Sequence, residues 1–149
     1  MEKEKTTLRG KFHIGLFREG QLIEERDTYN TVTAAGKAMV SGLIITDVGG
    51  TACDNIAIGT GTTAPATSQT ALVGEKYRKS CTGSQTTTTV PNDTARLTCS
   101  VAITATATMS EAGVFNATAS GTMLARTTYS AISVNSGDTL NIGYDVAVA

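Results

Sequence analysis

The sequence predicts a mainly β protein, an antiparallel β-sandwich or jelly-roll-like barrel with one short helix. Three observations carry that reading. Over residues 93–107, Ala95, Leu97, Cys99, Val101, Ile103 and Ala105 fall on one parity, while Thr94, Arg96, Thr98, Ser100, Thr104 and Thr106 fall on the other. A pleated strand sends successive side chains to opposite faces, so this segment reads as a long strand with one dry and one polar face, and only Ala102 breaks the pattern. Residues 139–148 repeat the pattern, with Leu140, Ile142, Tyr144, Val146 and Val148 opposite Thr139, Asn141 and Asp145. Clusters of Gly, Asn, Asp and Pro punctuate the rest at short intervals, as in all-β folds.

The first strand is expected over residues 6–17, where Leu8, Phe12, Ile14 and Leu16 share a parity and Gly10 suggests a bulge. Arg18-Glu19-Gly20-Gln21 reads as a hairpin turn. Residues 22–29 return as a polar strand whose Glu24, Glu25, Arg26 and Asp27 suit a sheet edge. Residues 33–43 form the one expected helix, capped by Thr31 or Thr33. Ala35, Met39 and Leu43 would make its inner stripe with Ala38 beside them, and Gly36 and Gly42 would weaken it.

A loop is expected over 47–54, a short buried strand over 55–59, and a small-residue loop over 60–70. A strand follows over roughly 76–82, a turn at Gly83-Ser84-Gln85, weak pairing over 86–90, and another turn at Pro91-Asn92-Asp93. After the central strand, Met109-Ser110-Glu111 reads as a bend and 112–117 as a short strand. Turns at 118–121 and 135–138 bracket a strand over 122–129 that continues through 131–134. The expected core is Leu97, Cys99, Val101, Ile103, Leu140, Ile142 and Tyr144. The domain organisation is a flexible arm, 1–7, followed by a single β-sandwich domain, 8–149.

At 149 residues the chain is long enough to bury a core without metals or disulfides. A formal net charge of −1 argues against a nucleic-acid partner. The charged start lacks an apolar leader and no segment has the length of a membrane helix, so the expectation is a soluble chain made in a cytoplasm. Cys53, Cys81 and Cys99 form no CxxC, and no metal or other cofactor is expected. Cys99 falls on the dry parity, whereas Cys53 and Cys81 sit at segment ends where either could bridge to a second copy.

No catalytic constellation stands out. His13, on the polar parity of the first strand, has no nucleophile beside it. The Glu24, Glu25 and Asp27 run has strand spacing, not that of a calcium loop. Gly59-Thr60-Gly61 lacks the GK[ST] of a phosphate loop. Glu111, a lone carboxylate at a bend, reads as a hydrogen-bond acceptor for nearby backbone amides and not as an acid catalyst.

Three stretches in order resemble small structural proteins of tailed bacteriophages. The first is the hairpin followed by Asn30-Thr31-Val32 and a short helix with Gly36. The second is IAIGTGTTAP, residues 56–65, followed by Thr70-Ala71-Leu72 and a strand from Glu75 to Arg78. The third is SEAGVFNA, 110–117, then GTMLARTTY, 121–129, and VNSGDTL, 134–140.

The resemblance implies a virion part without enzymatic activity. The reading it favours is a head decoration (cement) protein, a dimer or trimer clamping the major capsid protein lattice on the capsid surface after assembly in the host cytoplasm. Tail-fibre or baseplate parts, with a host surface as their partner, are the alternative; the absence of repeats and heptads argues for the head. A sugar-binding module would need more exposed aromatics than Tyr29, Tyr77, Tyr129 and Tyr144 supply. The expected lattice contacts are Glu2, Lys3, Glu4 and Lys5 in the arm and Thr60, Thr62, Thr63 and Pro65 in the 60–70 loop, where many weak repeated contacts would add by avidity.

Overall fold

The computed structural model of the chain describes residues 3, 5–45 and 51–149. Leu8–Arg18 (β1) turns through Glu19 and Gly20 into Gln21–Tyr29 (β2). Glu19 and Gly20 both take positive φ, 51° and 78°, the tight turn whose twist suits antiparallel partners. Asn30 alone separates β2 from Thr31–Val32 (β3), which leads into the helix Ala34–Ile45 (α1). There follow Asn55–Gly59 (β4), Glu75–Ser80 (β5), Thr82–Thr86 (β6), Thr94–Ala102 (β7), Ala107–Phe115 (β8), Met123–Val134 (β9) and Thr139–Val148 (β10).

These strands make two five-stranded antiparallel sheets, ordered β2-β1-β10-β7-β6 and β3-β9-β8-β4-β5. Among the described residues the protein is a β-sandwich with one helix. The chain changes sheet at four corners: Asn30 between β2 and β3, Cys81 between β5 and β6, residues 103–106 between β7 and β8, and residues 135–138 between β9 and β10. Strands that switch sheets in this way make the corners of a sandwich. Side chains seal the seams. Arg26 on β2 donates from Nε to the Ser130 carbonyl of β9 at 2.9 Å. The Tyr77 hydroxyl accepts from the Thr104 N–H at 3.1 Å.

The apolar parity of β1, β7 and β10 fills one side of the core, and Ile56, Ile58, Met109, Val114, Ile132 and Val134 fill the other. Phe12 and Tyr144 lie opposite each other in the β1–β10 ladder, with ring centroids 4.7 Å apart. Leu97, Val101, Ile103, Leu140, Ile142 and Tyr144 are buried, whereas Cys99 is half-buried towards the sheet margin.

The central segment is shorter than its sequence suggests. β7 ends at Ala102 because Ile103 bonds to the 135–138 loop, donating to the Asp138 carbonyl and accepting from the Gly137 N–H, both at 2.9 Å. The alternation holds only from Leu97 to Ile103: at the start of β7 Thr94 is buried and Ala95 exposed, and Ala105 is exposed on the way to the second sheet. Residues 109–111 are no bend. They lie within β8, where the pairing with β9 slips between Met109 and Glu111.

Gly10 is not a bulge, since β1 pairs with β10 in unbroken register past it; the irregularity of β1 falls between Leu16 and Phe17. The bare Cα of Gly10 leaves room for the Asn30 amide and Tyr144 hydroxyl that crowd against it. Residues 83–85 are paired strand in β6, not a turn, and the ladder stops at Thr86. In α1, Thr33 is the cap, its Oγ accepting from the Gly36 N–H at 2.9 Å. The buried face is Gly36, Met39 and Gly42, not the Ala35–Met39–Leu43 stripe. Ala38 and Leu43 are exposed because α1 packs backbone-close on β9, where only glycine fits. The expected loop at 47–54 lies partly outside the described residues, including Gly49 and Gly50.

Candidate functional site

The slip in β8 gives the second sheet two buried faces. Before it, Met109 points into the main core. After it, Ala112 and Val114 take that side. Phe115 turns outward with Ala57 and Met123, and Leu72 covers them to form a second, smaller core. The cover is the irregular segment 60–74, lying over the outer face. Its approach is so close that a methyl group on Gly113 would sit 2.9 Å from Leu72 Cδ2.

Under this cover lie Glu111 and Arg126, both fully buried, with Arg126 Nη2 and Nε donating to Glu111 Oε2 at 2.8 and 3.0 Å. Glu111 also accepts three backbone N–H groups, from Gly61 at 2.9 Å, Val73 at 3.0 Å and Gly74 at 2.6 Å. Burial alone would raise its pKa. The Gly74 N–H, the Arg126 guanidinium and the Val73 and Gly61 N–H groups outweigh that and hold the carboxyl below its usual range. Gly61 must be glycine here, because a methyl group on it would meet the Glu111 carboxyl carbon at 2.6 Å. The GTG segment therefore does cradle an anion, and the anion is the protein's own side chain.

Arg126 completes the clamp. Its Nη1 donates to the Thr63 carbonyl at 2.8 Å and to Gln69 Oε1 at 3.1 Å, and Gln69 Oε1 also accepts the Ala66 N–H at 2.9 Å. The Thr67 carbonyl accepts the N–H of Ala34 at the start of α1, at 2.8 Å. The expected small-residue loop is thus a fixed layer. Thr62 and Thr63 are exposed on it, Thr60 and Pro65 are half-buried, and no charged side chain lies between 60 and 74. Beside it, Arg78 pairs with Glu75 and lies 3.7 Å over the Phe115 ring.

The other expected contacts lie apart from this layer. Lys3 and Lys5 are exposed, and Glu2 and Glu4 lie outside the described residues. Thr7, the last residue of the expected arm, pairs with Ala149 in both directions. Sequence reasoning reached Glu111 as an amide acceptor but missed Arg126, whose only signal was a charge inside an otherwise uncharged strand.

Elsewhere, several charged groups pair with one another. On the outer face of the first sheet His13 contacts Asp27, Lys11 pairs with Asp27 at 3.0 Å, and Arg96 pairs with Asp145 at 2.6 Å. A groove of about 330 Å³ between α1 and the first sheet is walled by Met39, Leu97, Tyr144 and Val146. The thiol in its wall, Cys53, is pushed up to about 12, chiefly by burial, and so is no nucleophile near neutral pH. Among the described residues, no three or more His, Cys, Asp and Glu side chains gather as metal ligands, and no helix is long and apolar enough to cross a membrane.

Fold and site together define a β-sandwich that fixes a neutral, small-residue layer on one face. No family model, curated protein or solved structure matches the chain.

Proposed function

We propose that this chain is a structural part of a tailed-bacteriophage virion, a head decoration protein that binds the major capsid protein lattice as a dimer or trimer. The observation that carries the reading is the buried Glu111–Arg126 clamp, whose polar capacity is devoted to fixing segment 60–74. A layer ordered before contact loses little conformational entropy on docking, so modest contacts suffice when a lattice repeats them. Thr62, Thr63, Ala64, Ala66, Thr67 and Ser68 offer small uncharged side chains for close approach to another protein. The resemblance in the 56–65 and 110–129 stretches points the same way, since those stretches build this layer and its clamp. Ile44 and Ile45, 80% and 66% exposed at the end of α1, suit contact between copies.

Labelling the protein on intact virions of the encoding phage tests the proposal. Label spread over the head supports it, label confined to the tail favours the fibre or baseplate reading, and particles without label overturn both. Deleting residues 1–6 should leave the melting temperature unchanged and lower particle occupancy, because the Thr7 pairing with Ala149 is kept. Full occupancy by the truncated protein would remove the arm from the interface.

A further inference from the structure

The corner between β5 and β6 brings two thiols together. β6 pairs with β7 in a register that sets Thr82 opposite Thr98 and Gly83 opposite Leu97. One residue further, the same register sets Cys81 opposite Cys99. The Cys81 N–H donates away from β7, to the Asp54 carbonyl at 2.7 Å. The 81–99 position is therefore of the non-hydrogen-bonded kind, in which facing Cα atoms come to about 4.5 Å and side chains are nearest. That separation lies within the range a disulfide spans. Both side chains share the inward parity, since Gly83, two residues on from Cys81, faces Leu97. Both thiols are free and half-buried, and both pack against the edge of the main core.

We propose that Cys81 and Cys99 form a cross-strand dithiol that low-molecular-weight disulfides such as oxidised glutathione convert to an intramolecular disulfide. The Cys81 thiolate attacks one sulfur of the oxidant, forming a mixed disulfide and releasing one glutathione thiolate. The Cys99 thiolate then attacks the Cys81 sulfur, closing the protein disulfide and releasing the second glutathione. Two protein S–H bonds are lost, one S–S bond forms in the protein and one breaks in the oxidant, and both protons end on glutathione.

The roles follow from the surroundings. The Cys99 thiol lies against the Cys81 sulfur and stabilises its thiolate, which draws Cys81 below and Cys99 above the ordinary thiol value. Cys53 is set apart by its contact with the Met39 sulfur at 3.8 Å. The bond would staple β6, which pairs with β7 alone, at the corner where the chain changes sheet.

The test uses the full chain, equilibrated with oxidised glutathione at about pH 8, near the thiol pKa. The products are alkylated and mapped by mass spectrometry, and their melting is followed. Expected are a loss of two hydrogen masses, one 81–99 linked peptide pair, alkylation at Cys53 only, and a rise in melting temperature of about 5–10 °C that reductant reverses. Cys53→Ser should keep all of this. Cys81→Ser and Cys99→Ser should each abolish the linked pair. Free Cys81 and Cys99 after equilibration of the unsubstituted protein, a bridge to Cys53, or a covalent dimer would each overturn the proposal, whatever the folding of the variants.

Discussion

Removing the charge at position 111 strands the guanidinium of Arg126 inside the protein. A Gln side chain could still accept from some of the N–H groups of Gly61, Val73 and Gly74, but its own amide hydrogens would face donors. Breaking one side of a buried ion pair costs about 3–5 kcal/mol, whereas replacing both members by apolar groups can be nearly neutral. Glu111→Gln should therefore lower the urea midpoint by that order and open segment 60–74 to limited proteolysis. The double variant Glu111→Leu with Arg126→Met should recover stability only in part, because it leaves those N–H groups without an acceptor. A Glu111→Gln protein with an unchanged midpoint and an uncut loop would show that the clamp does not hold the layer. Residue 111 was legible as an acceptor because a lone carboxylate at an expected bend needs donors from nearby backbone amides. Its partner was not, because sequence parity assumes one wet face per strand, and the cover over this sheet comes from a loop 50 positions away.

At the scale of the element, two glycines test what packing adds to propensity. Alanine is better than glycine within a helix by about 1 kcal/mol. At Gly36, however, its methyl group would sit 2.8 Å from the Leu124 Cα and 2.9 Å from its carbonyl carbon, backbone that a buried strand cannot move. Overpacking of that kind costs about 1–3 kcal/mol, so Gly36→Ala should lower the melting temperature despite its propensity gain. Gly83, in β6, faces only Leu97 Cδ2 at 3.7 Å, an ordinary contact. Gly83→Ala should raise stability by about 0.4–1 kcal/mol through the unfolded chain's lost freedom. Thermal melts of both variants check the contrast, and a stabilised Gly36→Ala would mean that α1 does not lie on β9. The same reasoning explains which elements the sequence revealed. β1, β4 and β10 followed from alternation or a short apolar run, because β10 keeps a single register with both neighbours and the slips of β1 and β4 fall only near their ends. β7 and β8 read differently because a change of sheet and a slip in pairing reset the parity where composition stays the same. The helix face was misread because its contact surface is glycine, which hydrophobic patterning does not count.

For the whole molecule, the carboxylates set the response to acid. Asp93 accepts the N–H groups of Val90, Thr88 and Thr89, and these hold it well below the usual range. The Arg18 guanidinium first, and the Asn135 N–H next, bring Asp138 down to about 2. Asp27 is lowered by its contacts with His13 and Lys11, and Glu111 by its cradle. Each of these groups binds its proton less tightly folded than unfolded, where carboxyls titrate at about 3.9–4.3. The stability they contribute is therefore complete above that range, and it is lost as pH falls through the folded values. The melting temperature should be nearly level from about pH 7 to pH 5 and fall steeply from there towards pH 2. Glu111→Gln should melt lower at neutral pH and show a shallower acid branch, since one of the shifted carboxyls is already gone. These groups tie the 87–93 turn, the 135–138 loop, the β1–β2 hairpin and segment 60–74, so acid should loosen the margins of the sandwich together. Melting at pH 3 indistinguishable from melting at pH 7 would mean that the carboxylate contacts do not persist in solution.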